Sequence, residues 1–136
     1  WSFGNEMLVC LGLTTVMYTG LIAAFGWPMV PVLAVVAFWG AFQLTSANYI
    51  EHYGLTRDEK ERVNELHSWQ SDRLVSRYFL IDLSRHADHH FHAAKPFNTL
   101  VSYDKSPVLP GGYTSMFLPA LIPPLWFKLV DKRIPA

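Results

Sequence analysis

Residues 7–25 read MLVCLGLTTVMYTGLIAAF and residues 29–49 read MVPVLAVVAFWGAFQLTSANY, with Gly26-Trp27-Pro28 between them. After Glu6 no Asp, Glu, Lys or Arg occurs until Glu51. So long an uncharged run exceeds what the core of one small water-soluble domain accommodates. Each half is long enough, at ~1.5 Å rise per residue, to cross a hydrocarbon layer of ~30 Å. Pro28 disfavours continued helix in the residue before it, and Trp27 favours the lipid–water boundary. The two segments therefore read as antiparallel transmembrane helices closed by a tight turn. The expected fold class is an all-α integral membrane protein: a transmembrane helical hairpin, a cytoplasmic helical cap bearing histidines (residues 50–105), and a turn-rich loop with a Pro-rich interfacial segment (residues 106–136).

The charges agree with that division. Residues 56–105 hold eight Lys or Arg and eight Asp or Glu, whereas the turn between the spans has no Lys or Arg. By the positive-inside tendency the charged part is cytoplasmic. The formal net charge is zero, so no basic surface points to nucleic acid. DEKERVNE (residues 58–65) reads as a solvated loop or short helix, and Arg57, Lys60 and Arg62 as solvated charges. The single cysteine, Cys10, excludes an intrachain disulfide and any CxxC motif, and is expected to be a small buried hydrophobe. Trp1 is not an initiator and no charged stretch precedes the apolar run, so the opening is unlike a signal peptide. The expectation is a chain that begins inside a longer polypeptide.

Towards its end the second span collects Gln43, Thr45, Ser46, Asn48, Glu51 and His52. Thr45 and Ser46 read as the helix leaving the bilayer. Glu51 and His52 are read as facing protein or a site, because unpaired polar groups in hydrocarbon are costly. A second concentration of chemistry lies at LSRHADHHF (residues 83–91). If that stretch is helical, His86, His89 and His90 sit at i, i+3 and i+4 and leave on one face. Neutral imidazole ligates iron, zinc and copper, so three gathered rings read as a metal site, with an exposed His-rich patch as the bland alternative. Leu74, Phe79, Leu80 and Leu83 recur at roughly helical spacing, which predicts one helix running from Leu74 through His90. On it Asp82, four before His86, is the candidate carboxylate partner for a ligand imidazole, while Asp88 is angularly offset.

Beyond Lys95-Pro96 helix is not expected to persist, and YDKSPVLPGGY (residues 103–113) reads as a loop. MFLPALIPPLWFKLV (residues 116–130) is apolar but interrupted by Pro119, Pro123 and Pro124. It reads as a broken, interfacial or re-entrant segment with Trp126 and Lys128 near the water boundary.

NYIEHYGL (residues 48–55) followed by LSRHADHH (residues 83–90) resembles the paired C-terminal motifs of membrane-bound alkane monooxygenases, usually written NYxEHYG and LQRHSDHH, within the histidine-rich di-iron superfamily of fatty acid desaturases and hydroxylases. The likeness continues through ERVNELHSWQSDR, NTLVSYDKSPVLPGGY and LIPPLWFKLV. It implies that residues 1–136 form a single C-terminal portion of a membrane di-iron oxygenase, and that His52, His86, His89 and His90 are iron ligands and carry the catalytic role, with Glu51, Asp82 and Asp88 orienting imidazoles. The family's other histidine motifs, HELxHK and EHxxGHH, are absent from this chain. Two irons held mainly by imidazole need about eight or nine ligands, so a preceding segment or another chain is expected to supply the rest. Departures are Ser84, Ala87 and HHFHAAKPF, which adds His92, read as a surface or outer-shell histidine. His67, in LHSW, is read as structural or hydrogen-bonding.

The resemblance also implies the chemistry: two non-haem iron ions, with dioxygen as co-substrate, hydroxylating a terminal C–H bond of a medium- or long-chain alkane to a primary alcohol. It implies reduced rubredoxin as electron donor and a bacterial inner membrane, with the metal site on the cytoplasmic side. Substrate-binding residues are not identified. Alternatives are a xylene-type aromatic-methyl hydroxylase, a fatty-acyl desaturase, and a non-catalytic membrane subunit binding zinc or no metal.

Overall fold

The computed structural model describes residues 4–135. The chain forms two compact units, Trp1–Gln43 and Leu44–Ala136.

In the first unit helix α1 spans Glu6–Phe25. Asn5 caps it, its side-chain oxygen accepting from the Met7 and Leu8 N–H groups at 3.0 and 3.4 Å. At the other end Gly26 takes φ 79° and donates its N–H to the Ile22 carbonyl at 2.8 Å, a backbone setting that favours glycine. The helix is apolar all round and buries none of its residues. Leu11, Leu13, Val16 and Met17 are all exposed. Large apolar side chains left in water forfeit about 1.5–3 kcal/mol each, so such a helix takes its stability from an apolar surround. Cys10 shares that exposure, which corrects the expectation of a buried thiol. Helix α2, Met29–His52, begins after the Gly26-Trp27-Pro28 turn and, like α1, is long and apolar enough to cross a membrane. It runs three residues past the expected end at Tyr49, so Glu51 and His52 occupy its last turn.

The second unit gathers a small core from distant parts of the chain: Ile50, Trp69, Leu109, Tyr113, Met116, Trp126 and Val130 are all buried. Its other helices are α3 (Leu74–Phe79), α4 (His86–Phe91), α5 (Tyr113–Ala120) and α6 (Pro123–Val130), with single 3-10 turns at Phe97–Thr99 and Asp131–Arg133. No strand occurs among the described residues; Gln70 and Val108 form one isolated parallel bridge.

Two expectations need correction here. The helix predicted from Leu74 through His90 is two helices, because Ile81 and Asp82 take left-handed φ of 51° and 58°. The reversal is held by Asp82 N–H donating to the Arg77 carbonyl at 2.8 Å and by an Arg77–Asp82 ion pair at 2.5 Å. Leu74, Val75, Tyr78 and Phe79 are exposed. The proline-interrupted segment forms two helices, with Pro123 and Pro124 in the first turn of α6, where a missing N–H costs nothing. Yet Trp126 lies fully inside the core between Tyr49 and Tyr53, at ring distances of 5.6 and 5.3 Å, and not at a water boundary.

Candidate metal centre

Helix α2 delivers His52 and α4 delivers His86 and His90. Gly54 (φ 69°) turns the chain away immediately after α2, and a Cβ there would collide with the Ile134 side chain. After an exposed loop the backbone returns as a strap, residues 67–71, tied to the end of α2 largely by main-chain atoms. Trp69 N–H donates to the Glu51 carbonyl at 2.9 Å, and Trp69 Nε1–H to the Tyr53 carbonyl at 2.8 Å. Tyr113 adds its hydroxyl to the Trp69 carbonyl at 2.5 Å. The strap then continues to α4 through Ser71 N–H, which donates to the Ser84 carbonyl at 2.9 Å. Two elements more than thirty residues apart are thereby sewn together through a third.

Helix α4 is fixed on its other side. Arg85, just before it, donates to Asp72 at 2.9 Å and to the Leu100 carbonyl at 2.5 Å. Asp88 is fully buried, and its carboxylate accepts from Lys95 Nζ (2.5 Å), Val101 N–H (2.8 Å) and Tyr103 Oη (2.8 Å) and contacts His92 Nδ1 at 2.9 Å. Burial alone would raise its pKa, but these donors outweigh burial and hold it well below the usual carboxylate range.

Within this frame the ligand-type nitrogens of His52, His86 and His90 lie within 4.8 Å of one another. The ring centroids are 4.3 Å apart for His86–His90, 5.1 Å for His52–His90 and 5.4 Å for His52–His86. His89 stands beside the cluster, at 5.8 Å from His86 and 5.6 Å from His90, so the i, i+3, i+4 spacing does gather all three rings of α4. His52 Nδ1 is 3.1 Å from the His67 carbonyl; Nδ1–H donating there leaves Nε2 as the free lone pair, the arrangement expected of a ligating imidazole. His86 is 6 % exposed and both of its nitrogens lack a hydrogen-bond partner. Glu51 Oε2 approaches His86 Nε2 at 3.4 Å without hydrogen-bond geometry. Burial first, then the neighbouring imidazoles of His90, His52 and His89, push the His86 pKa down to about 3, so its ring is neutral and its lone pair available. Buried imidazole nitrogens without partners are costly, and a cation beside His86, held also by the half-buried His52 and the exposed His90, would satisfy one of them. The residues present therefore fit a first-row transition metal, and an all-imidazole donor set suits iron, zinc or copper.

The expected carboxylate partners behave differently from one another. Glu51 faces His86. Asp82 does not reach the imidazoles: the break at Ile81–Asp82 removes the i−4 relation to His86, and Arg77 takes its carboxylate. Asp88 touches His92 but is otherwise an anchor between α4 and residues 95–103. His67 accepts the Asn64 N–H at Nδ1 and faces Glu61 through Nε2 at 3.5 Å, while its carbonyl serves His52. Sequence reasoning missed Arg85 and Trp69; the tryptophan within the otherwise polar stretch SWQSD was the available signal.

A family model described as fatty acid desaturase matches residues 1–128. Along almost its whole length the chain is similar to alkane 1-monooxygenases. It is 45% identical over 139 residues to that of Acinetobacter baylyi, a match covering 98% of this chain and 34% of the relative. With that of Pseudomonas putida it shares 44% identity over 139 residues, covering 98% and 35%. It is also 28% identical over 133 residues to the xylene/toluene monooxygenase hydroxylase component of Pseudomonas putida, covering 97% and 36%. The chain thus spans about a third of the length of these curated relatives. These likenesses extend well beyond the two histidine motifs that first suggested them, and the chain belongs to the fatty acid desaturase family.

Proposed function

We propose that this chain is the C-terminal part of a membrane-bound non-haem di-iron monooxygenase that converts a medium- or long-chain alkane to its primary alcohol. The observation that carries the reading is the buried, unpartnered His86 facing His52 and His90 across two elements. The identities of 39–45% to alkane 1-monooxygenases, against 28% to the xylene/toluene enzyme component, favour an alkane over an aromatic methyl group as substrate.

His52, His86 and His90 would hold one metal ion, and His89 a second together with imidazoles from the remainder of the protein. When bound, iron with dioxygen and two external electrons supplies the oxidising power that side chains lack for an unactivated C–H bond. The chain's own residues keep the site in shape. The His67 carbonyl fixes the His52 tautomer, Glu51 faces His86, and the Asp88 anchor holds α4 against rotation. Helices α1 and α2 would form the transmembrane hairpin, with the site at its cytoplasmic end in a bacterial inner membrane. An apolar substrate would arrive from the bilayer, and electrons from a rubredoxin-type donor on the aqueous side.

Elemental analysis of the detergent-purified intact protein tests this. About two irons per polypeptide, lost or strongly reduced in His86→Ala, together with primary alcohol formed from an alkane, is the expected result. Zinc in place of iron, or iron unaffected by the substitution, would sink the reading.

A further inference from the structure

Helix α3 is built inside out. A helix beside water turns its polar residues outward and its apolar stripe to the core. Here Leu74, Val75, Tyr78 and Phe79 are 79%, 58%, 83% and 71% exposed, and Ser76 is fully buried. Spaced i, i+1, i+4 and i+5, the four exposed side chains share one side of the helix. Ile81, in the reversal that follows, is exposed as well. The inward side is fixed against the start of α5, where a Cβ on Gly112 would collide with Ser76 Oγ. Residues 72–82 carry four charges, Asp72, Arg73, Arg77 and Asp82. Arg85 holds Asp72 and Arg77 holds Asp82, so among these described residues only the exposed Arg73, at the start of α3, has no ion-pair partner. An apolar face with a phenol hydroxyl and an unpaired cation beside it is complementary to the boundary between acyl chains and anionic headgroups. Lipid is also at hand, because the unit that holds α3 begins at Leu44, inside α2.

Resting on the membrane reading above, we propose that the outward face of α3 is a lipid-binding surface. It lies in the headgroup–acyl boundary of the bilayer that holds α1 and α2, with Arg73 at lipid phosphate. His86 follows Phe79 by seven positions, a reach of at most about 25 Å. A seated α3 therefore keeps the imidazole cluster close to the layer from which an apolar substrate arrives.

The test places the intact protein in vesicles of phosphatidylcholine and phosphatidylglycerol. One sample contains a phospholipid with a diazirine in its acyl chain, another a water-soluble diazirine, and after illumination the labelled peptides are mapped by mass spectrometry. Lipid-borne label is expected on residues 74–81 as on α1 and α2, with little aqueous label there. Leu74→Asp/Phe79→Asp, a change at two exposed sites, is expected to lower the lipid-borne label on residues 74–81 about tenfold and to raise the aqueous label. Label on α1 and α2 and iron content stay unchanged in that variant. Lipid-borne label on α1 and α2 with none on residues 74–81 overturns the inference and leaves the proposed function standing, whether water or another part of the polypeptide covers the face. Lipid-borne label retained by the variant overturns it as well. Absence of that label from α1 and α2 overturns the membrane reading in the proposed function too.

Discussion

Helix α4 has two sides that obey opposite rules. On one, Asp88 is saturated: a lysine ammonium, a main-chain N–H, a phenol and an imidazole converge on a single buried carboxylate. On the other, His86 is equally buried and wholly unsatisfied. One short helix thus joins an anchor that is complete in the polypeptide to a cluster whose buried member finds no hydrogen-bond partner there. The difference teaches that burial of polar groups has two uses in this unit, and that hydrogen-bond bookkeeping separates them where burial does not.

The comparison can be broken from either side. His86→Ala should have the largest effect on metal: iron per polypeptide falls to below about a tenth of the parent, because a ligand is deleted outright. Thermal unfolding of the metal-free protein should be unchanged or raised, since two unpaired buried nitrogens are removed. Asp88→Ala should do the reverse. It strands Lys95, Tyr103 and the Val101 N–H, and should destabilise the metal-free protein by about 3 kcal/mol, the low end for a broken buried pair because Lys95 is partly exposed. Chemical denaturation in detergent reads it.

Smaller effects sharpen the picture. Arg85→Lys cannot reproduce both the Asp72 and the Leu100 bonds, so α4 loosens at its start and metal affinity should fall roughly tenfold in a chelator competition. Asp82→Ala should matter least. Its partner Arg77 is a third exposed, so solvent screens the pair and little stability should be lost, and metal content should not move. A loss of metal in that variant would restore Asp82 to the site and contradict the broken helix.

The sequence was legible where its signal was periodic or unbroken. The uncharged run gives α1 and α2 almost to their ends, and the spacing of His86, His89 and His90 gives their common face. It was illegible where one backbone torsion decides. Asp82 tolerates a left-handed φ, but β-branched Ile81 ordinarily resists it, so nothing in FLIDLS announces a reversal. With the helix assumed continuous, Asp82 looked like a partner of His86. The strap failed to show for another reason: most of its bonds to α2 involve main-chain atoms, which every residue possesses.

That last property sets how the protein tolerates change. Because each bond between the strap and the end of α2 uses a main-chain atom on at least one side, the quantity the strap protects is chain length. Between Gly54 and the strap, where residues are mostly exposed, an added or removed residue can be absorbed as slack. Within residues 67–71 a single deletion would move every later carbonyl past its partner, turning the His67 contact away from His52 while leaving each histidine in place. The site would then fail by frameshift of the backbone ladder, with its full complement of imidazoles intact.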